Sequence, residues 1–394
     1  MVFNFDQLIA SLPTGTTFVE YIIKMLVMFG IGGILIYLAI KKDYEPTLLL
    51  PIGFGAILTN IPLTSVVANP SNGDPGIFGV LYDATIANEL LPVLIFIAVG
   101  AMIDFGPLFQ TPSMIFFGAA AQFGIFATMM FALLLGQLLP EPFTLQEAGA
   151  IGVIGAADGP TTIFVGSAFG LDKSIMGPLT VAAYSYMSLV PIIQPPVIKA
   201  LTTKKERQIR MDFKQKEISR LTRVLFPIIV TVIAGIIAPE SVALIGALMF
   251  GNLIRECGVL ARLSETAQTT LANLVTILLG ITIGTTMTAQ DFLTPSTLLI
   301  MFLGLFAFIF DTAGGVMFAK LLNLFRKEKI NPMVGAAGIS AFPMSARVIQ
   351  KMAKDDDPHN FILMQSVAAN VSGQLGSVVA GSMILVLIGR IVGL

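Results

Sequence analysis

The sequence is short of charge. Only 12% of its 394 residues are Asp, Glu, Lys or Arg, half of the roughly 25% that is usual in soluble proteins. Too few charges remain to cover the surface of a soluble domain of this length. The composition therefore excludes a soluble enzyme, a disordered chain and a nucleic-acid-binding protein. The net charge of −1 also offers no overall attraction to an acidic partner.

Metal-binding and disulfide-forming residues are scarce as well. Cys257 is the single cysteine and cannot form an internal disulfide, and His359 is the single histidine, which excludes a histidine cluster for zinc. The phosphate-binding pattern G-x-x-x-x-G-K-[ST] is absent, so we do not expect ATP to drive the protein. Hydrophobic residues, in contrast, make up 55% of the chain, which indicates an integral membrane protein.

The apolar residues form uncharged runs that are long enough to cross a membrane. A helix that spans about 30 Å of hydrocarbon needs roughly 20 residues. The sequence predicts about ten such helices, at approximately 21–40, 47–65, 88–103, 113–138, 176–198, 222–238, 241–254, 268–288, 296–322 and 361–390. The expected fold class is an all-α polytopic membrane protein.

Two further apolar segments, at about 147–169 and 331–350, are interrupted by Gly, Pro and small polar residues. Such residues free backbone groups that lipid cannot satisfy, so a segment of this kind must be buried in protein or line a wet cavity. We expect both segments to be re-entrant or broken hairpins.

The few charges of the chain are concentrated between Lys199 and Arg223, where nine Lys or Arg stand against three acids. The positive-inside rule places this linker, 199–223, in the cytoplasm. The N-terminus is then outside, and five spans with one hairpin lie on each side of the linker. This topology puts the other basic clusters on the cytoplasmic side too.

The two halves that flank the linker, 1–198 and 224–394, share short motifs in the same order. Gly-Ala-Ala at 155–157 matches Gly-Ala-Ala at 335–337 in the other broken segment, and Thr-Pro-Ser recurs at the start of a long span in each half. An odd number of spans per half places the repeats in opposite orientations. The sequence therefore predicts two inverted repeats, in which paired discontinuous helices build an ion or substrate site near the midplane.

Asp158 lies in the first broken segment and is the leading candidate for a functional residue. A carboxylate within a membrane span is costly and normally marks an ion path or a proton relay. With Thr161, Thr162 and freed carbonyls, it would suit a hard cation such as Na⁺. The alternative is a surface turn, since Asp-Gly-Pro is turn chemistry, but apolar sequence continues on both sides.

Other polar residues fall in or near the predicted spans. Asn331 and Ser340 offer neutral oxygens, and Arg347 offers a fork that fits a carboxylate, although it also serves as a cytoplasmic topology charge. Asn370 and Tyr184 lie within spans, where polar side chains often join helices rather than bind ligands.

Some acidic residues are weaker candidates. Asp104 and Asp291 fall at span ends, and Asp311 lies within a span. The acidic run 355–357 is expected to be a solvated cytoplasmic loop. The residues by themselves predict a cation-coupled membrane protein with a site shared by two broken helices.

Three motifs carry a resemblance to a known family: GVIGAADGPTTIFV (152–165), NPMVGAAGISAFPMSARVIQK (331–351) and DPHNFILMQSVAANVSG (357–373). With these motifs the sequence resembles the β subunit of the biotin-dependent, sodium-pumping decarboxylases, which serve oxaloacetate, methylmalonyl-CoA and glutaconyl-CoA decarboxylase complexes. One small departure is Gly-Ala-Ala-Asp-Gly-Pro at 155–160, where members often have Gly-Gly-Ala-Asp-Gly-Pro.

The resemblance implies an enzyme that is also a pump. A carboxyltransferase α subunit moves CO₂ to biotin on a carrier protein or domain, and carboxybiotin enters the β subunit from the cytoplasm. Its decarboxylation there drives Na⁺ outward. The resemblance also implies a small γ or δ membrane subunit and a multi-pass location in the bacterial inner membrane, and it leaves a homo-oligomeric β core open.

The resemblance further implies roles for particular residues. Those expected to be catalytic are Asp158, Tyr184 and Ser340. Those expected to bind carboxybiotin are Arg347, Asn331 and Gly335. Those expected to bind Na⁺ are Asp158, Asn331, Ser340 and Asn370.

Two other functions remain open on the sequence. A cation-coupled secondary transporter would use the same inverted-repeat core without chemistry. A structural membrane scaffold is disfavoured by the carboxylate of Asp158. The acyl substrate is not encoded in this chain, since a different subunit of the expected complex selects it.

Overall fold

The computed structural model describes residues 17–43, 45–64, 66, 76–212, 217–237, 239–341 and 344–393. Within these ranges the chain is helical and contains no β-strand. The expected all-α class is therefore confirmed. Four residues of the linker and two of the second broken segment lie outside the described ranges.

The helices of the first half end with the start of the linker. They are α1 Phe18–Lys42, α2 Pro46–Thr59, α3 Gly76–Thr85, α4 Leu90–Met102, α5 Gly106–Gln110, α6 Ile115–Ala121, α7 Phe123–Gly136, α8 Leu145–Val153, α9 Gly159–Ala168, α10 Lys173–Ser188 and α11 Val190–Leu201. The described part of the linker contains the single turn α12, Lys204–Arg207.

The second half contains nine helices among the described residues. They are α13 Arg220–Ile237, α14 Val242–Glu256, α15 Ala261–Thr266, α16 Ala272–Thr285, α17 Ala289–Phe292, α18 Pro295–Phe325, α19 Pro332–Ala336, α20 Met344–Asp356 and α21 Leu363–Val392. A π-helical turn, Ala267–Leu271, joins α15 to α16.

Five continuous helical stretches in the described part of the chain are long and apolar enough to cross a membrane. They are Phe18–Lys42, Pro112–Gly136, Ala261–Thr285, Pro295–Phe325 and Leu363–Val392. Two bent pairs, α3 with α4 at 61° and α10 with α11 at 69°, raise the number to seven if each pair is one span. The expected number of about ten is not confirmed, because helices such as α2 and α14, with 14 and 15 residues, are shorter than a full span.

Helices of the two halves pack pairwise across glycines. Helix α2 contacts α16 where Gly55 meets Gly284, and α4 contacts α14 where Gly100 and Gly251 approach the opposite backbone. A Cβ atom added to Gly251 would lie 2.0 Å from the carbonyl oxygen of Ile97. Small residues of this kind allow membrane helices to approach closely.

Two asparagines repeat the same contact at the ends of these pairs. The Asn60 side chain on the C-terminal side of α2 donates to the carbonyl of Met287 at 2.7 Å, and Asn252 of α14 donates to the carbonyl of Ile103 at 3.0 Å. Each carbonyl follows the helix that the asparagine packs against. The matched contacts support a twofold relation between the halves, while their boundaries and inverted orientation stay predictions.

Both broken segments are buried at the centre of the molecule. Every residue in 148–159 and 330–341 is buried. The long helices α6–α7 and α18 pack against each other, and the broken segments pack onto both of them. Protein rather than lipid therefore surrounds the interrupted backbone, as its freed polar groups require.

The acidic run before Pro358 is not wholly solvated, and the expectation of a solvated loop is wrong for two of its three residues. Asp356 pairs with Arg207 at 2.6 Å, and Asp357 pairs with Arg210 at 2.8 Å. The hydrogen bond from Arg210 lowers the pKa of the Asp357 carboxyl. The linker is thus held against the C-terminal end of α20, and only Asp355 is exposed.

Candidate functional site

The first broken segment changes direction at Asp158. A short 3₁₀ turn, Ile154–Ala156, ends at Ala157, which has the left-handed backbone angles φ 52° and ψ 45°. Asp158 then caps α9, and its Oδ1 accepts a hydrogen bond from the backbone N–H of Thr161 at 3.2 Å. An Asp cap followed by Pro160 in the first turn is a typical helix start. Because Asp158 is only 3% exposed, the alternative of a surface turn is wrong.

Three side chains donate to the other carboxylate oxygen of Asp158. The hydroxyl of Ser377 lies 2.7 Å from Oδ2, the hydroxyl of Ser340 3.0 Å, and the amide nitrogen of Gln374 3.2 Å. Ser340 belongs to the second broken segment, and the other two belong to α21. The carboxylate therefore joins both broken segments to the last long helix.

The backbones of the two broken segments also meet directly. The N–H of Ser340 donates to the carbonyl of Ala156 at 2.9 Å. The side-chain amide of Asn370 donates to the carbonyls of Ile339 at 2.7 Å and Ala341 at 3.4 Å. These bonds satisfy carbonyls that the interrupted helix cannot pair with itself.

Several buried oxygens near the break have no hydrogen-bond partner among the described residues. They include the hydroxyls of Thr161 and Tyr184 and the amide oxygen of Asn370. The ring of Tyr184 lies directly against Gly159, where an added Cβ would come within 2.4 Å of a ring carbon. Buried polar atoms without partners are uncommon, and a catalytic role or the binding of an ion or water is a common reason for them.

The charge of this cluster matches a monovalent cation. No ion pair reaches Asp158 from the described residues, and no group of three or more His, Cys, Asp or Glu forms among them. A single carboxylate with neutral oxygens balances one positive charge, whereas a divalent ion would leave a charge uncompensated. The serine hydroxyls keep lone pairs for a cation while they bond to the carboxylate.

The structure places Asn331 away from Asp158. Asn331 caps α19, and its Oδ1 accepts from the N–H of Met333 at 3.1 Å. Its amide nitrogen donates to the linker carbonyls of Arg207 at 2.8 Å and Ile209 at 2.9 Å. Its polar atoms thus tie the second broken segment to the linker.

Gly335 and Arg347 also lie outside the carboxylate cluster. A Cβ on Gly335 would come within 2.0 Å of the carbonyl oxygen of Gly315, so this glycine allows α19 to pack on α18. Arg347 lies on the exposed face of α20 and forms no hydrogen bond or ion pair with a described residue. Its guanidinium is free to meet a ligand at the surface.

The sequence reasoning missed Gln374 and Ser377. Both follow Asn370 at helical spacing, so the three polar side chains project from one face of α21. That periodicity is the signal that could have identified them. A further missed residue, Gln194, donates to the carbonyl of Ala336 at 2.7 Å and supports the second broken segment from α11.

Two of the weaker acidic candidates bond to residues that are close to them in the sequence. Asp104 is exposed and accepts from the N–H of Gly106 at 2.8 Å, and Asp291 bonds to the hydroxyl of Thr288 at 2.8 Å. Asp311, in contrast, is fully buried in α18.

Comparison with known proteins identifies the family of this chain. A sequence model of the Na⁺-transporting oxaloacetate decarboxylase beta subunit matches residues 24–388. The chain belongs to this family. The match includes both broken segments and every residue that donates to Asp158.

Individual members of the family cover almost the whole chain. The chain is 46% identical to methylmalonyl-CoA decarboxylase subunit beta of Propionigenium modestum, over 92% of this chain and 95% of the relative. It is 46% identical to glutaconyl-CoA decarboxylase subunit beta of Acidaminococcus fermentans, over 97% and 98%. It is 42% identical to the oxaloacetate decarboxylase beta chain of Klebsiella pneumoniae, over 91% and 94%. Beta subunits named for three different substrates are thus similar to this chain.

Proposed function

We propose that this chain is the membrane subunit of a biotin-dependent acyl decarboxylase, in which decarboxylation of carboxybiotin drives Na⁺ outward. The observation that carries the proposal is the buried Asp158 carboxylate, shared by two broken helices and α21 in a member of the Na⁺-transporting decarboxylase beta-subunit family. A membrane carboxylate with converging neutral oxygens and no cationic partner has the chemistry of a sodium site.

The proposed sodium site is centred on Asp158. Its Oδ1 accepts a single backbone hydrogen bond and is the freer oxygen for a cation. Ser340 and Ser377 add hydroxyl oxygens, and Asn370 adds a buried amide oxygen without a partner. Asn331 stays a predicted member of the site, but its contacts favour a role in positioning the second broken segment.

Carboxybiotin is a substrate that a separate carrier protein delivers. Its decarboxylation breaks the bond between the ring nitrogen and the carboxylate carbon, CO₂ leaves, and the nitrogen takes up a proton. Arg347 is proposed to hold the carboxylate, because a guanidinium binds carboxylates in bidentate fashion and this one has no described partner. Tyr184 is proposed to donate a hydrogen bond or proton, and Gly335 to act through the packing of α19 on α18.

The proposed complex contains a carboxyltransferase α subunit, a biotin carrier protein or domain and a small γ or δ membrane subunit. The relatives are named as beta subunits or beta chains, and such names describe parts of larger assemblies. The proposed location is the bacterial inner membrane, with the linker on the cytoplasmic side, where its basic residues belong by the positive-inside rule.

The test is Na⁺ uptake by vesicles that contain the purified complex. Acyl substrate should drive uptake, and blocking biotin with avidin should stop it. Asp158→Asn should abolish both decarboxylation and Na⁺ uptake, because it removes the charge that holds the cation. Asp104→Asn makes the same change at an exposed aspartate whose acceptor oxygen is retained, and should leave both activities intact.

Two results would contradict the proposal. Na⁺ uptake that continues when avidin blocks biotin would indicate a secondary transporter that carries out no decarboxylation. Full Na⁺-dependent activity in Asp158→Asn would rule out the proposed sodium site.

A further inference from the structure

A second carboxyl group lies in the middle of α18. Asp311 is fully buried. Its two oxygens fit between glycines of neighbouring elements: a Cβ on Gly124 would lie 2.2 Å from Oδ1, and a Cβ on Gly155 would lie 2.8 Å from Oδ2. Gly155 belongs to the 3₁₀ turn that precedes Asp158. Asp311 therefore borders the first broken segment without joining the Asp158 cluster.

The Asp311 carboxyl lacks a hydrogen-bond donor. The backbone amides of Gly124 and Ile125, at the start of α7, face it. The N–H of Ile125 already donates to the carbonyl of Gln122 at 3.1 Å. Neither oxygen of Asp311 has a hydrogen-bond partner among the described residues. The buried hydroxyls of Thr128 on α7 and Thr312 on α18 are also without a partner.

Among the described residues, no cationic side chain forms an ion pair with Asp311. Helices α6, α7 and α19, which pack against α18, carry no charged residue. On α8, α10 and α11 the charged residues are Glu147, Lys173 and Lys199, all near helix ends. Glu147 belongs to a capping box, Lys173 pairs with Asp83 at 3.1 Å, and Lys199 is exposed.

The remaining ionisable groups around α18 contact partners other than Asp311. On α18 itself, Lys320 lies near the cytoplasmic end and pairs with Glu206 at 3.1 Å. Tyr186 donates to a backbone carbonyl of α18, and Tyr184 packs on Gly159. Asp158 is satisfied by its own donors. Asp311 thus stands as an isolated acid.

An ionised carboxylate without donors or a counter-charge is strongly disfavoured inside a membrane protein, whereas the protonated acid carries no net charge. The backbone amide of Gly124, which faces the carboxyl, would stabilise the anion once the proton leaves, so the site can hold both the protonated and the ionised form. We propose that Asp311 is a proton-binding site beside the first broken segment, and that it exchanges its proton during transport. The exchange of the proton during transport depends on the proposed function, whereas the binding of the proton is independent of it.

The first test is the infrared spectrum of the complex in membranes. The wild-type complex should show the C=O stretching band of a protonated carboxylic acid, shifted in D₂O. The band should be lost in Asp311→Asn and kept in Asp158→Asn. Its absence from the wild type, or its survival in Asp311→Asn, would overturn the proposal. This outcome does not depend on Na⁺ transport, so it separates failure of the proton site from failure of the proposed function.

The second test measures coupling. Asn has the shape of the neutral acid and fits between Gly124 and Gly155, but it cannot release a proton. Asp311→Asn should keep the Na⁺ concentration that gives half-maximal rate while decarboxylation and Na⁺ uptake fall about 100-fold, the lower range for loss of a proton-transfer group. Unchanged rates would show that Asp311 does not exchange its proton. A raised Na⁺ requirement with an unchanged maximal rate would show that it binds Na⁺ instead. If Asp311→Asn fails to assemble, the spectrum of Asp158→Asn decides: a protonated-acid band kept there cannot come from Asp158, and its loss there would overturn the proposal.

Discussion

At the scale of single residues, the two oxygens of the Asp158 carboxylate accept different numbers of hydrogen bonds. Oδ2 accepts from Ser340, Gln374 and Ser377, whereas Oδ1 accepts only the N–H of Thr161. The three donors hold the carboxylate in one orientation and leave Oδ1 with fewer hydrogen bonds than Oδ2. The same serine hydroxyls can offer lone pairs to a cation, so the cluster can position the anion and bind Na⁺ with the same groups.

Ser377→Ala tests this dual role. The variant removes the 2.7 Å bond to Asp158, and we expect the Na⁺ concentration for half-maximal decarboxylation to rise about tenfold, which corresponds to about 1.4 kcal/mol. The maximal rate should change much less. Ser382→Ala is the matched control, because Ser382 is on the same helix and its hydroxyl donates only to the carbonyl of Val378. Equal Na⁺ dependence in the two variants would exclude Ser377 from the site.

At the scale of elements, hydrogen bonds connect the linker to the second broken segment and to the chain that follows it. Asn331 and Asn360 both donate to the carbonyls of Arg207 and Ile209. Gln365 donates to the linker carbonyls of Met211 and Asp212. Together with the ion pairs at the end of α20, these bonds attach the linker to the elements that carry Ser340 and Arg347.

Asn331→Asp tests this attachment. The change turns the amide N–H donors into a carboxylate oxygen that faces the carbonyls of Arg207 and Ile209, and Asn360 is then the one described side chain that still donates to both. We expect the repulsion and the lost hydrogen bonds to cost about 1–3 kcal/mol. We expect faster trypsin cleavage within the basic linker and reduced decarboxylation. Asn88→Asp is the control, since this exposed asparagine lies between α3 and α4 and its side chain donates to the nearby carbonyl of Ala84. Linker cleavage at the wild-type rate in Asn331→Asp would show that these bonds do not hold the linker.

At the scale of the whole molecule, the halves are joined by close helix crossings rather than by charges. Helix α2 packs on α16 and α4 on α14, and in both pairs backbones meet at glycines. Such contacts depend on van der Waals packing, which tolerates little added volume.

Gly251→Leu tests the importance of these crossings. The first added atom would lie 2.0 Å from the carbonyl oxygen of Ile97, so backbone must move. We expect a loss of about 3 kcal/mol of stability, at the upper end for overpacked sites, seen as lower thermal stability of the purified complex. Gly30→Leu, at a position with no atom within 4 Å of the added Cβ, should unfold at the wild-type temperature. Similar unfolding temperatures for the two variants would contradict a tight α4–α14 contact.

Much of this protein could be predicted from local sequence. The scarcity of charge and the long apolar runs determine the all-α membrane class, because a helix alone satisfies its own backbone in lipid. The two interrupted segments were recognisable because Gly, Pro and Asp stand within apolar sequence. Asp158 was recognisable for the same reason. A carboxylate within a membrane segment costs free energy, so its presence there indicates a function.

Only the tertiary structure decided which residues surround Asp158. Ser377 is 219 positions away along the chain, and it reaches the carboxylate because α21 crosses the break. Asn331, which stays a predicted ligand, bonds to the linker, and Asp311, a weak candidate on sequence, is a buried acid without a hydrogen-bond partner among the described residues. Composition determines that a segment is in the membrane because transfer energies are local and additive. Helix crossings determine which polar groups meet, because close packing depends on the shape of every partner at once.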